Sequence, residues 1–338
     1  MKLKYLHIMP PSQRMMLTYV EMLRENFPAE DHKILLASPL TQNDGGLLLY
    51  KNVQSFESLG KWKVQRFRNI GKELMAADRV VFHNFMPTTS WTGNLLLHKS
   101  ILDKSIWVIW GIDMYNYKRS GKGFITGLKN KMNYYMRSRM RYPVAVSECD
   151  IKVYNDLFGQ HKILFAPYAF SDNRFAVMDE AAKRVQEGER RFIDIRQMAD
   201  YNPKTGEIES SGNLEEDTGE CLNVQVCHNG FPFNQHFEIL NLLKTICNGE
   251  NKGKVRLYLP LNYGDGQLTD TVTYVDALTS YVNQMFDSNV VVLRNMLPNN
   301  LYTQYLSQID IGIFNAPRHN ALGNIVQLLY MGKKSVYK

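Results

Sequence analysis

Cysteine is scarce in this chain: four in 338 residues, Cys149, Cys221, Cys227 and Cys247. That number and spacing fit neither a disulfide framework nor a zinc site, and they point to the cytosol. No apolar run approaches the ~18 residues needed to cross a bilayer. The apolar stretch within MKLKYLHIMPP is too short for a signal peptide and reads as a first strand. No Gly-x-Gly-x-x-Gly follows that strand and no Gly-x-x-x-x-Gly-Lys-Ser/Thr occurs, so dinucleotide and P-loop sites of the usual kind have no support. No Asp-x-Asp pair occurs either. A common divalent-cation signature is therefore missing, and no metal or other cofactor is expected. Internal repeats and low-complexity tracts are absent.

What remains is an ordinary globular composition, 44% hydrophobic and 22% charged. The length suffices for two domains with cores of their own. Continuous apolar strands alternate with helices along most of the chain. Strands are expected at 2–9, 32–38, 78–85, 105–111, 142–147 and 162–168, with helices at 12–27, 61–76, 88–98, 124–140 and 149–158. Strands apolar throughout imply a parallel sheet covered on both faces. Residues 171–220 break the rhythm with polar, charged, Gly- and Ser-containing segments, and read as a connector with a mobile insertion near 200–220. The rhythm then resumes, with strands at 222–227, 254–261, 289–295 and 310–316 and helices at 234–248, 270–286, 299–308 and 322–331. The final KKSVYK starts a further strand, so C-terminal residues are expected beyond it. The expected class is α/β, two doubly wound Rossmann-like domains facing a cleft. Their bounds are 1–175 and 222–338, joined by a connector over 176–221.

Ligands in such sheets bind at the carboxyl ends of the strands. The stretch LNVQVCHNGFPFNQHFEILNLL (222–243) is a strand, a polar turn and a helix. A helix start carries open N–H donors and roughly half a positive charge, which suits a phosphate. NAPRHNALGNIVQLLYMG (315–332) repeats the pattern, with Arg318 able to fork onto a phosphate beside Gly323 and Asn324. In the first half, VIWGIDMYNY brings Asp113 to a strand end behind Gly111, where a carboxylate could serve as general base. His83, in VVFHNF, is a second base candidate. Asp113 is favoured, because His83 sits between Phe82 and Phe85.

The formal charge is +7, and residues 118–141 hold eight basic residues and no acidic one: Lys118, Arg119, Lys122, Lys129, Lys131, Arg137, Arg139 and Arg141. Phe124, Ile125, Leu128, Met132, Tyr135 and Met136 give the same helix an apolar side. Such a helix can lie on an anionic membrane, with Lys129, Lys131, Arg137 and Arg139 toward the surface. Nucleic acid is not expected, since no recognition motif accompanies the charge.

Taken in order, FHNF, VIWGIDMY, FAPYAF, HNGFPFNQH, YLPLNYGD and DIGIFNAPRHNALGNIVQLLYMGKK resemble glycosyltransferase family 56, the TDP-N-acetylfucosamine:lipid II N-acetylfucosaminyltransferases. The resemblance runs from about residue 78 to the end, leaving out the insertion. It implies a GT-B fold, a TDP-amino-sugar donor, an undecaprenyl-pyrophosphate-linked acceptor and the cytoplasmic face of a bacterial inner membrane. It places His83, Asn84, Trp110, Gly111 and Asp113 on the acceptor side, and Asn229, Asn234, His236, Tyr263, Arg318, Gly323 and Asn324 on the donor side. Two departures concern the donor: a Gly-Asn-Ser turn is here His228-Asn229-Gly230, and a Gly-Thr is Gly323-Asn324. The rival expectations are a nucleotide-sugar epimerase of the same architecture, which needs no basic helix, and a polysaccharide-assembly scaffold without turnover.

Overall fold

The computed structural model describes residues 3–10, 13–40, 45–118, 123–159, 162–166, 170–187, 194–209, 221–247, 251–266, 268, 272–286, 289–317 and 321–337. The chain divides into two compact units, Met1–Asp172 and Asn173–Lys338.

Unit 1 is a seven-stranded sheet in the order β3-β2-β1-β4-β5-β6-β7. The strands are β1 (Tyr5–Met9), β2 (His32–Leu36), β3 (Val53–Gln54), β4 (Arg79–His83), β5 (Ser105–Ile109), β6 (Tyr142–Ala145) and β7 (Leu164–Phe165). All pairings are parallel. The helices are α1 (Gln13–Asn26), α2 (Lys63–Ala76), α3 (Thr89–Leu97), α4 (Ser100–Asp103), α5 (Ile112–Tyr115), α6 (Phe124–Arg139) and α7 (Glu148–Phe158). Successive strand side chains point to opposite faces, and β1 divides accordingly. Leu6 and Ile8 join Leu35, Val80, Phe82 and Trp107 in a core with α2, α3, α6 and α7. Met9 joins Ile34 and Leu36 under Met16, Val20 and Leu23 of α1. His7 shares the Met9 face.

Unit 2 carries a five-stranded parallel sheet in the order β12-β11-β10-β13-β14. Its strands are β10 (Leu222–Val226), β11 (Val255–Pro260), β12 (Val290–Leu293), β13 (Ile311–Phe314) and β14 (Lys334–Tyr337). Its helices are α8 (Asp172–Gln186), which opens at the boundary of the units, α9 (His236–Cys247), α10 (Tyr274–Met285), α11 (Asn299–Ser307) and α12 (Leu322–Tyr330). One face buries Val224, Val226, Leu257 and Leu259 under α9 and α10. The other buries Tyr258, Leu293 and Phe314 under α8, α11 and α12. Both sheets reverse their strand order once, between β1 and β4 in unit 1 and between β10 and β13 in unit 2. Such a reversal opens a crevice at the strand ends.

The expected connector is corrected. Residues 172–208 hold α8 and a two-stranded hairpin, β8 (Tyr201–Asn202) and β9 (Glu207–Ile208). Met178, Ala181, Ile195, Met198 and Tyr201 are buried in the core of unit 2. The segment's high charge concealed a sparse apolar stripe. The insertion expected near 200–220 begins with this hairpin, and its remainder, 210–220, lies outside the described residues.

Candidate functional site

In unit 1 the carboxyl ends of β4 and β5 are tied together by one carboxylate. Asp113 is fully buried. Its Oδ2 accepts from the Phe85 backbone N–H at 2.7 Å and from Trp107 Nε1–H at 2.6 Å. Its Oδ1 accepts from the Trp110 backbone N–H at 3.0 Å. The turn that makes this reach depends on Gly111, whose φ of +83° is a left-handed value that glycine adopts at no steric cost. Burial raises the Asp113 carboxyl above its ordinary value, while the three donors and the nearby Arg137 guanidinium oppose that rise.

Arg137 completes the knot. It is 2% exposed, donates to the carbonyls of Phe85 at 2.7 Å, Asp113 at 3.2 Å and Asn133 at 3.3 Å, and stacks over the rings of Phe85 and Trp107. Burial lowers its guanidinium to about 10, against the pull of Asp113. Two expectations are thereby corrected. Asp113 is no free carboxylate at a rim, and Arg137 faces the core rather than a membrane. Both hold the β4 and β5 loops in place.

The other base candidate stands at the end of β4. His83 is 3% exposed, and its Nε2 lies 3.2 Å from Nδ1 of His7. Burial lowers its imidazole to about 3. Asn84 follows in a left-handed conformation, φ +56°, and its Oδ1 is buried without a partner among the described residues. Trp110 is half-buried beside this loop.

In unit 2 the loop after β10 is built from its own polar side chains. Asn229 Oδ1 accepts from the Phe231 N–H at 3.0 Å and from Asn234 Nδ2. Asn234 also donates to the Asn229 carbonyl at 3.1 Å. Both are 2% exposed. His236 is fully buried, with Nδ1 3.3 Å from the Tyr274 hydroxyl. Burial lowers it to about 4, opposed by the Asn229 carbonyl. Asn229 and Asn234 shape the loop rather than line a surface, which corrects their assignment as ligand-facing groups, and His236 is buried against α10, its Nε2 without a partner among the described residues.

The loop rests on the one after β11. Gly230 donates its N–H to the Tyr263 carbonyl at 2.8 Å, and a Cβ at Gly230 would lie 2.2 Å from the Gly264 carbonyl oxygen. Tyr263 stays 40% exposed, with the His228 and Phe231 rings each in T-shaped contact with its own.

The start of α12 is different. Gly323 has no left-handed backbone, and among the described residues a Cβ there would meet nothing within 4 Å. Among the described residues nothing crowds the glycine at the first turn, where the N–H groups of Leu322 and Gly323 have no carbonyl within the helix to bond. Asn324 next to it accepts from the Tyr302 hydroxyl at 2.6 Å, tying α12 to α11. Arg318 lies outside the described residues.

On α6 the first turns are exposed rather than packed: Phe124 is 87%, Ile125 67% and Leu128 49% exposed. Lys129 and Lys131 are exposed beside them, while Arg139 lies 3.7 Å from Asp103. Sequence inspection missed His7 and His32, whose only signal is a histidine set in an otherwise apolar strand.

No protein-family model matches the chain, and no curated protein matches it. Solved structures do match across its whole length. HepE of Anabaena, solved with UDP and glucose, is 12% identical, covers 99% of this chain and 80% of its own, and superposes with a TM-score of 0.61. A glycosyltransferase of Rickettsia africae is 12% identical, with coverages of 99% and 79% and a TM-score of 0.58. The alpha,alpha-trehalose 6-phosphate synthase of Burkholderia multivorans is 11% identical, with coverages of 100% and 83% and a TM-score of 0.56. At such identities the likeness is one of fold, and the fold of this chain is GT-B, with two Rossmann-like domains.

Proposed function

We propose that this chain is a glycosyltransferase that moves a sugar from a nucleotide-sugar donor to an acceptor hydroxyl. The carrying observation is the bare helix start at Gly323, beside the strand reversal of unit 2. A glycine that neither backbone nor packing demands leaves room for a group to approach the N–H donors. A helix start favours an anion there by about 0.3–1 kcal/mol, and more when partly buried. A diphosphate has the right charge, and the relative from Anabaena was solved with UDP-glucose as well as with UDP. Arg318, earlier in the chain than Gly323, would fork onto a second oxygen. Tyr263 offers an exposed ring for a nucleobase. Together the helix start and Arg318 would offset the leaving group's charge without a metal.

The motif resemblance supports a finer version. In it the donor is a TDP-linked amino or deoxy sugar resembling N-acetylfucosamine. The acceptor is a lipid-pyrophosphate-linked saccharide at the cytoplasmic face of a bacterial inner membrane. The exposed Phe124, Ile125 and Leu128 beside Lys129 and Lys131 support the membrane part, since an apolar edge flanked by cations suits an anionic interface.

Gly323→Leu tests the donor site. Leucine is a good helix former and meets no protein atom at the Cβ, so the melting temperature should hold. Calorimetry with TDP and UDP should show affinity lowered at least tenfold, about 1.4 kcal/mol. Unchanged affinity for the nucleotide that the wild type binds would remove the α12 start from the site. A wild type that binds no nucleoside diphosphate would overturn the function.

A further inference from the structure

Three buried histidines cross the strand reversal of unit 1. His32 opens β2, His7 stands in the middle of β1 and His83 ends β4. The register places His32 beside Tyr5 and His7 beside Ile34 and Val81, so all three project from the α1 face of the sheet. His32 Nδ1 lies 2.9 Å from His7 Nε2, and His7 Nδ1 lies 3.2 Å from His83 Nε2. Both nitrogens of His7 are thus used, one toward each neighbour. The rings do not converge on a point: among the described residues no cluster of three or more His, Cys, Asp or Glu is placed to hold a metal. Exposure grows along the chain, from 3% at His7 and His83 to 8% at His32.

The surroundings hold the rings in place and keep them neutral. Tyr19 of α1 sets its ring edge-on to His83 at 4.6 Å. Tyr5 stacks on His32 at 4.9 Å, and Phe27 tilts over it at 5.5 Å. The charges nearest His32 are Asp31 and Lys4, paired with each other at 2.7 Å, one raising and one lowering its affinity for a proton. Burial, then repulsion between the rings, holds His7 well below its ordinary value. A neutral imidazole carries one N–H and one lone pair, which is what a continuous donor–acceptor chain requires. A cationic ring would present two donors and break it.

We propose that His83, His7 and His32 form a proton relay that carries the acceptor hydroxyl's proton from the end of β4 to solvent at the start of β2. This rests on the glycosyltransferase reading and deepens it. As the acceptor oxygen bonds to the sugar carbon and the bond to the diphosphate breaks, the hydroxyl proton passes to His83 Nδ1. The proton on His83 Nε2 moves to His7 Nδ1, that on His7 Nε2 moves to His32 Nδ1, and that on His32 Nε2 leaves to water. One proton enters and one leaves, and each ring ends neutral in its other tautomer. The reverse shift, with water giving a proton to His32 and taking one from His83, resets the chain after product departs. His83 is the catalytic residue, and His7 and His32 are positioning residues acting through it.

The test uses His7→Gln and His32→Gln in the full chain. Glutamine keeps a donor and an acceptor but does not pass a proton through its amide. Both variants should keep the nucleotide affinity of the wild type and lose tenfold or more in turnover, with a flattened pH–rate profile and a reduced solvent isotope effect. His32→Gln, at the more exposed end, reads the outcome if His7→Gln fails to fold. Imidazole nitrogen NMR gives a readout free of turnover. In the wild type the three rings should show tautomer-averaged shifts at neutral pH, and His32→Gln should lock His83 into one tautomer. A single fixed tautomer in the wild type, unmoved by His32→Gln, would overturn the relay whether or not sugar is transferred. Full turnover in both glutamine variants would overturn it too, leaving a packed structural cluster. A wild type that turns over no donor, yet shows the coupled tautomers, would count against the glycosyltransferase reading and not against the relay.

Discussion

At the scale of single residues, Asp113 shows how position and environment separate. The strand–Gly–x–Asp pattern placed it correctly at the carboxyl end of β5. What the pattern does not carry is the three-donor cage and Arg137, contributed from β4, β5 and α6. Asp113→Asn is nearly isosteric, but its amide would turn a donor toward at least one N–H of that cage. An unsatisfied buried group costs about 1–3 kcal/mol, and Arg137 would lose the nearby negative charge. The expected result in thermal unfolding is a melting temperature lowered by several degrees, at roughly 2–4 °C per kcal/mol. A variant that melts with the wild type but has lost turnover would return the base role to Asp113. The buried histidines were illegible for a related reason. A strand pattern tells which side chains are buried, whereas ring-to-ring hydrogen bonding across β2, β1 and β4 depends on register.

Elements were far more legible than partners. Each expected parallel strand is present, because runs such as VRLYLP and SIWVI are too apolar for anything but a covered sheet. Among the described residues the elements that escaped include β3, only two residues long, the one-turn helices α4 and α5, and α8 with the hairpin of β8 and β9, embedded in charge. The basic helix α6 is where the structure sharpened an expectation most. Arg137 turns inward and Met136 is buried, so one end of the helix packs and the other, from Phe124 to Lys131, stays open. On the proposed reading, the first turns are therefore the part of α6 that would meet a membrane. Replacing Phe124, Ile125 and Leu128 by serine should weaken sedimentation with anionic vesicles by at least tenfold. Lys129→Gln with Lys131→Gln should cost about 2 kcal/mol, since each cation near such a surface contributes about 1 kcal/mol. Wild-type binding should fall as salt rises. A wild type that ignores anionic vesicles at low salt would make the exposed face a solvated one.

For the whole molecule, the strand orders say most. Two parallel sheets, each reversing once, give the chain two crevices at strand ends, and the candidate groups gather there. His83 ends β4 and Asn84 follows it, and Tyr263 and Gly323 follow β11 and β13. That arrangement was foreseeable from the alternation of strands and helices. The contents of the loops were not, because Asn229 and Asn234 bond within their own loop rather than facing outward. Turnover is the property that separates an enzyme from a scaffold that merely holds nucleotide. The most direct measurement is release of nucleoside diphosphate from a panel of TDP- and UDP-sugars, with a lipid-pyrophosphate-linked saccharide as acceptor and product followed by mass spectrometry. We expect one donor to release its nucleoside diphosphate in step with an acceptor heavier by one sugar. Nucleotide binding with no release from any donor in the presence of acceptor would contradict the assignment and leave a sugar-nucleotide-binding scaffold.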